Sequence, residues 1–577
     1  MNHTVLKLYN LLTKRQKKGV LALIFLVLIG MVLEIIGLST IIPVMNLIVD
    51  GNIKKYDFVY QNLPKIVLEL SDKEIVFVFL STIIIFNFLR IFFQAYLILV
   101  QNNFLSNVTA VISNDLFKLY INQKYKFHIT RNATELIKNI QVEVSLTSSV
   151  LSSIISLLTE VSFFLAITGT LIYIQPVVAL ALILLISVSI FIYYSFTKAK
   201  ISSDSVKRES IDKSISKLVI ESLTGIKDII ISRNSENFYN YYRKFSFERA
   251  RVNSRQGIIN QLPRYYFEFI AIVAIVGLAF ILNFQGENNT SLIAILSIFA
   301  ASIFKILPII NKIVSSVQNI KMNKPSIDLI CNEFELYTQY HENQISKYPF
   351  VFNELQMKDV SFKYQNSKTF VVNNFNLKIK RGDFIGIVGV SGSGKTTLID
   401  LILGLHQPTS GRIILNNEET SEKKCLYRFN VGYVSQNVYL LNDSIKNNIA
   451  LGESSTEINE ERIKLATYMA ELDSFIKYSN EGLQTLVGEN GIKISGGQKQ
   501  RIGIARSLYS DAEILFLDEA TSSLDDSTER EILNTILKLK RKKTIIMISH
   551  KRETLVDCDF ILEVKNGKLL KDMTNEI

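Results

Sequence analysis

The sequence predicts an α-helical six-span membrane domain followed by an α/β P-loop NTPase domain. Three observations carry this. Six long apolar segments crowd between residues 20 and 310. A glycine-rich run, Gly389-Val390-Ser391-Gly392-Ser393-Gly394-Lys395-Thr396, lies between a strand pattern and a helix pattern. A second apolar strand pattern, Ile514-Leu515-Phe516-Leu517, ends on the adjacent carboxylates Asp518 and Glu519. Apolar spans of that length fit a bilayer, the glycine run fits nucleotide phosphates, and the paired carboxylates fit magnesium and an activated water.

Composition sets the outer bounds. The chain has 577 residues, of which 48% are hydrophobic and 20% charged. Length alone suggests several domains. We place a transmembrane domain at 1–320, a polar linker at 321–345 and the nucleotide-binding domain at 346–577. The net charge of +11 reads as cytoplasmic loops facing anionic lipid. No clustered basic face is evident, so nucleic acid is not expected as a partner. Cys331, Cys425 and Cys558 show no metal or redox spacing and are expected as free thiols. No signal peptide is evident, because the first apolar stretch is too long and has no small-residue cleavage site.

A hydrocarbon core takes about 20 apolar residues per helix. Six segments qualify: 20–48, 75–100, 146–173, 177–196, 267–284 and 291–310. Basic residues set the orientation. Lys14, Arg15, Lys17 and Lys18 precede segment 1; Lys118, Lys124, Lys126, Arg131 and Lys138 follow segment 2; a long basic stretch follows segment 4. The turns at Ile174-Gln175-Pro176 and Gly286-Glu287-Asn288 carry no Lys or Arg. Both termini and the ATPase are therefore expected in the cytoplasm of a multi-pass protein. The basic loops read partly as helix, so segments 2 to 5 are expected to continue beyond the bilayer, with turns near 125–134 and 209–217 reaching the ATPase. The loop from Pro43 to Lys73 fits either an amphipathic helix in the outer interface or a solvated loop.

In the C-terminal half, 355–364 and 375–379 alternate like strands, 384–388 is an apolar strand, and 396–405 reads as a helix. Backbone N–H groups of the glycine loop and the helix N-terminus wrap phosphates. Lys395 supplies charge to the β- and γ-phosphates, Thr396 a hydroxyl to magnesium, and Thr397 completes the loop. Asp518 at the strand end reaches magnesium, and Glu519 polarises the attacking water. The expected cofactors are ATP and Mg2+.

Residues 350 to the end resemble an ATP-binding cassette (ABC) domain, and the apolar half resembles the membrane domain of an ABC exporter. The resemblance implies further roles. Tyr364 matches the aromatic that stacks on adenine, and Gln436 the Q-loop glutamine at magnesium. Ser495, Gly496, Gly497 and Gln498, preceded by Ile494 where the family has Leu, match the signature that contacts the γ-phosphate in the opposite subunit. Ser522-Ser523-Leu524-Asp525 matches the D-loop, and His550 the switch histidine. Because a signature completes only the partner's site, a dimer is implied; the complete set of motifs on one chain favours a homodimer, with a heterodimer as the alternative. Every catalytic part is present, which implies competent hydrolysis.

Charged residues within apolar segments are expensive and usually functional. Arg90, Arg264 and Lys305 each sit on a different segment. Two readings fit them: snorkelling to an interface, or lining a cavity that receives an anion. Glu34 and Glu160 also lie within apolar segments, as partners for these cations or for neighbouring helices. The run from Glu34 to Pro43, the long loop after it and the three cations resemble bacterial lipid-linked oligosaccharide flippases of the PglK type. That resemblance implies an external helix within 44–63 and pyrophosphate contacts from Arg90, Arg264 and Lys305, the last being Lys where the family has Arg. It implies an inner-membrane, ATP-driven flippase of a polyprenyl-pyrophosphate-linked glycan. An ABC exporter of lipid A, peptide or drugs is the alternative.

Overall fold

The computed structural model describes residues 2–39, 72–174, 176–284, 289–338, 351–364, 367–420, 430–521 and 526–573. The expected external helix within 44–63, the turn at 286–288, Cys425 and the D-loop match at 522–525 lie outside the described residues. The chain divides into two units. The first comprises Met1–Gln123 and Thr130–Tyr340, the second Lys124–Ile129 and His341–Ile577.

Among the described residues of the first unit, six helices are long and apolar enough to cross a membrane: Lys14–Gly37, Leu80–Ile121, Ala133–Tyr173, Ala179–Thr224, Ser235–Phe280 and Phe299–Met322. Three belong to helices of 49 or 50 residues, Asp72–Ile121, Pro176–Thr224 and Ser235–Phe284. At about 1.5 Å per residue such a helix is roughly 75 Å long, more than twice the ~30 Å hydrocarbon core. For segments 2, 4 and 5 the expected continuation is therefore present as unbroken helix, whereas segment 3 lies in the 31-residue helix Val144–Ile174 and continues at its N-terminal side through a π-helical stretch, Asn139–Glu143. Phe163, Ile167, Ile186, Phe267, Phe299, Ile306 and Ile310 form one buried cluster from four helices. Phe88, Phe92, Phe191, Phe196 and Phe304 are exposed on the surface of this unit.

Two stretches differ from the reading of the sequence. The turn expected at 209–217 is helical, because the helix runs on to Thr224 and the chain breaks at Gly225. Residues 209–217 hold no Gly or Pro, and Ile211 packs there with Ile201, Val252 and Met322. Much of the stretch read as linker is also helix: Lys324–Thr338 buries Ile327, Ile330 and Cys331 against Leu8 and Val150. Lys324, Asn332 and Glu335 are exposed, while half-buried Asp328 pairs with Lys7 at 2.7 Å and buried Glu333 with Arg131 at 2.5 Å.

The second unit holds two sheets. The smaller is antiparallel, in the order β2 (Val372–Lys380), β1 (Glu354–Phe362), β4 (Ser410–Leu415), β5 (Glu418–Glu419). The larger runs β10 (Lys568–Met573), β9 (Phe560–Lys565), β3 (Phe384–Val388), β8 (Thr544–Ser549), β7 (Ile514–Asp518), β6 (Val431–Val434), parallel except for the β10 edge. Strands β3, β7 and β8 are buried along their whole length, as apolar strands of a sheet covered on both faces must be. The two-residue period sends alternate side chains to opposite faces. Phe384, Val388, Leu515, Leu517 and Met547 join one core with Ile502 of the Gly496–Tyr509 helix. Ile385, Ile387, Phe516 and Ile548 join the other with Leu398 and Leu401 of the Lys395–Leu403 helix. Phosphate loop and signature helix thus start on helices packed against opposite faces of one sheet. Lys124–Ile129 groups with this unit, and the Tyr125 ring lies 5.9 Å from that of His406.

Candidate functional site

The phosphate loop leaves β3 at Gly389 and enters the Lys395–Leu403 helix through Gly394, which has φ +101°. Only glycine tolerates the local geometry. A Cβ on Gly389 would stand 2.3 Å from the Val564 carbonyl oxygen, and one on Gly394 2.6 Å from that of Val371. Lys395 Nζ donates to the carbonyls of Gly389 at 2.8 Å and Val390 at 3.1 Å. Ser393 Oγ is buried with no partner among the described residues. A glycine-rich loop running into a helix N-terminus, a buried ammonium and a buried hydroxyl without a partner among the described residues make a cradle that fits phosphate oxygens.

The carboxylates close the other side. Asp518 ends β7, and Tyr433 of β6 donates its hydroxyl to Asp518 Oδ2 at 3.1 Å. Glu519 follows with φ +52°, a left-handed conformation uncommon outside glycine. Its Oε2 accepts from Gln436 Nε2 at 2.9 Å, and its Oε1 lies 2.5 Å from His550 Nε2 and 4.0 Å from Lys395 Nζ. His550 Nδ1 lies 3.2 Å from the Gly389 carbonyl, which Lys395 also contacts. Gly389, Lys395, Gln436, Asp518, Glu519 and His550 therefore form one polar cluster at the C-terminal ends of β3, β6, β7 and β8.

Burial shifts the charges in this cluster. It lowers the Lys395 ammonium from its ordinary value, with Glu519 and Asp518 pulling the other way. It raises the Asp518 carboxyl, opposed by the Tyr433 hydrogen bond. Asp400, on the loop helix, is pushed up to about 6 by burial and the nearby Asp518.

Tyr364 is half-exposed, and its hydroxyl lies 3.1 Å from Thr397 Oγ1. It packs edge-on against Phe362 and His406. Ser495 caps the Gly496–Tyr509 helix: its Oγ accepts from Gln498 N, and Gln498 Oε1 accepts from Ser495 N, a reciprocal capping box. The Ser and Gln of the signature thus fix a helix N-terminus whose first residues, Gly496 and Gly497, place no side chain beside it.

Reading the sequence did not single out Tyr433, Asp400 or His406. Tyr433 reaches Asp518 only because β6 pairs with β7, a register with no local sequence signal.

In the membrane unit, Arg90 Nη1 donates to both oxygens of Glu34 at 3.0 Å, and Lys305 Nζ donates to Oε1 at 2.9 Å. Gln94 Nε2, one helical turn from Arg90, donates to Oε2 at 3.3 Å. Glu34 is buried. The structure therefore joins two of the three cations through one carboxylate. Arg264 is exposed and takes no part in these bonds. Glu160 pairs separately with Lys312 at 2.8 Å.

Comparison with known proteins agrees with this architecture. The ABC transporter family model matches residues 372–522, and the ABC transporter transmembrane region model matches 20–307. The chain is 33% identical over 340 residues to ABC transporter B family member 29, chloroplastic, of Arabidopsis thaliana, covering 58% of this chain and about half, 52%, of that protein. It is 29% identical over 454 residues to the ATP-dependent lipid A-core flippase of Albidiferax ferrireducens, covering 77% of this chain and 76% of the relative. A lipid A-core flippase of Cupriavidus pinatubonensis is 27% identical, with 89% and 88% covered. The solved structure of a bacterial Atm1-family ABC exporter with ATP bound shares the fold, with a TM-score of 0.77 over 97% of this chain and 95% of that one at 20% identity. With a transmembrane region and an ATP-binding ATPase domain on one polypeptide, each matched along its own stretch, this chain belongs to the ABC transporters as an exporter-type half-transporter.

Proposed function

We propose that this chain is an ATP-driven flippase that moves a lipid with an anionic, glycan-bearing head group from the cytoplasmic to the outer leaflet of a bacterial inner membrane. The observation that carries the reading is the Arg90–Glu34–Lys305 cluster, in which two cations from different helices share one carboxylate within apolar segments. Of the lipids that fit, a polyprenyl-pyrophosphate-linked glycan is preferred, because a pyrophosphate presents two adjacent negative groups to two adjacent cations. Arg264 is assigned to the same path from its position on a third span. A lipid A-core cargo is the second reading, favoured by the names of the relatives that align over most of the chain.

The cassette supplies the work. Tyr364 stacks on the base, while the 389–397 loop and Lys395 hold the phosphates. Mg2+, held by Thr396, Gln436, Asp518 and the nucleotide, would neutralise phosphate charge. Glu519 orients and polarises the attacking water and takes its proton. His550, beside Glu519, contacts the γ-phosphate. Gln436 joins Glu519 and links hydrolysis to the membrane half. Ser495, Gly496, Gly497 and Gln498 point a helix N-terminus at the nucleotide of a second copy, so the working unit is a homodimer. ATP closes the two cassettes and turns the membrane halves outward; hydrolysis resets them.

Reconstitution into vesicles tests this. ATPase stimulation by a polyprenyl-pyrophosphate glycan, with ATP-dependent appearance of the glycan on the cassette-distal face, is the expected result. ATPase without movement of that lipid, but with movement of lipid A, selects the second reading. Movement of neither removes both.

A further inference from the structure

Glu34 and Glu160 are both buried carboxylates on membrane-spanning helices, but their surroundings differ. Glu160 has one cation, Lys312, and that pair is balanced. Glu34 has two, Arg90 and Lys305, and among the described residues the cluster keeps one uncompensated positive charge. An excess charge away from water is costly unless an anion joins it. A cluster serving only to hold helices together has no use for that imbalance.

Hydrogen-bond capacity points the same way. Both oxygens of Glu34 are engaged, Oε1 by Arg90 and Lys305, Oε2 by Arg90 and Gln94. The cations are not saturated. Both Arg90 bonds come from Nη1, and Nε is buried without a partner among the described residues. Lys305 gives Glu34 one of the three donors an ammonium carries. The Arg90 and Lys305 side chains are 14% and 25% exposed, against 7% for Glu34. The carboxylate is thus the most buried member of the cluster, and the ammonium of Lys305, with donors beyond the one given to Glu34, is on its most open member. Gly37, one turn beyond Glu34, lies beside Arg90: a Cβ there would be in ordinary van der Waals contact with Arg90 Cδ and Nη1 at 3.5 Å.

We propose that Glu34 is a built-in counter-anion that holds Arg90 and Lys305 between transport events and yields them to the anionic head group of the cargo. This rests on the anionic-lipid reading above. Competition by Glu34 weakens cargo binding, and its return to the cations helps expel the cargo after translocation. Gln94 keeps a donor on Oε2 while the cations are engaged elsewhere.

The test is the concentration dependence of ATPase stimulation in vesicles by a polyprenyl pyrophosphate, with the uncharged polyprenol of the same chain length as control. Glu34→Gln is expected to lower the half-stimulating concentration of the pyrophosphate by about tenfold, the scale of losing one competing charge partner, and to slow lipid movement at saturation. The polyprenol response is expected to be the same in both proteins. Should Glu34→Gln fail to fold, Glu34→Asp decides, since the shorter side chain cannot span both cations and should shift the half-stimulating concentration in the same direction. A wild type that responds to the pyrophosphate, with an unchanged half-stimulating concentration in the variant, overturns the counter-anion role alone. A wild type blind to the pyrophosphate overturns the cargo reading and this role together.

Discussion

Gln436 Nε2 donates to Glu519 Oε2 at 2.9 Å, so the residue proposed to polarise water is already joined to the loop that follows β6. The other oxygen of Glu519 faces His550 at 2.5 Å. One carboxylate therefore bridges two loops, and its charge is the common element.

Replacing that charge tests its role. Glu519→Gln keeps the shape but loses the base. Phosphate release is expected to fall by about 10²–10⁴-fold, the usual contribution of a general base, while a fluorescent ATP analogue still binds. Near-normal hydrolysis in the variant would remove Glu519 from this role.

The phosphate loop has a steric requirement that can be tested without touching a charge. In Gly389→Ala the new methyl would meet the Val564 carbonyl at 2.3 Å, and backbone cannot move aside as a flexible side chain does. The end of β3 must shift, carrying the carbonyl shared by Lys395 and His550. ATP affinity measured by equilibrium binding is expected to weaken by about tenfold or more. Unchanged affinity would show that the loop relaxes at no cost.

Asp400 gives a pH dependence with a definite sign. Its carboxyl is raised from 3.8 to about 6 in the folded protein. A raised acid stabilises the fold while neutral in both states, below about pH 4, and that contribution is lost as pH rises through about 6. Asp400→Asn is therefore expected to raise the melting temperature of the full-length protein by about 2–5 °C at pH 7.5, with no gain near pH 4. An equal effect at both pH values would show that charge is not the cause.

The balanced pair in the membrane unit makes a complementary case. Glu160 is buried, whereas Lys312 is largely exposed. Lys312→Met strands a buried carboxylate and is expected to lower the melting temperature in detergent by about 3–6 °C. Glu160→Gln combined with Lys312→Met should recover most of that loss. A double variant no better than Lys312→Met would mean that Lys312 acts through packing.

The nucleotide-site motifs were legible because their chemistry is local in sequence. Gly389 to Thr396 must be contiguous to wrap a phosphate, and Asp518 and Glu519 must follow a strand to reach the site. Span number was legible because a bilayer demands long apolar runs whatever they pack against. Helix ends were less so. The 209–217 turn was misplaced because polar residues on a long amphipathic helix look like a loop until their apolar neighbours find a partner helix.

The sequence by itself determined the two-part architecture, the phosphate cradle and the charged candidates Arg90, Arg264, Lys305, Glu34 and Glu160. Only the tertiary structure decided who pairs with whom. Residues 34, 90 and 305 meet because the Lys14–Ser39 and Asp72–Ile121 helices pack together and the Lys305 side chain reaches Glu34 from the Asn289–Met322 helix, leaving Arg264 apart and giving Glu160 to Lys312. Tyr433 reaches Asp518 through strand pairing across 85 residues of chain. Charge pairing depends on distance in space, and that distance is set by the packing of whole helices and strands rather than by any residue's neighbours along the chain.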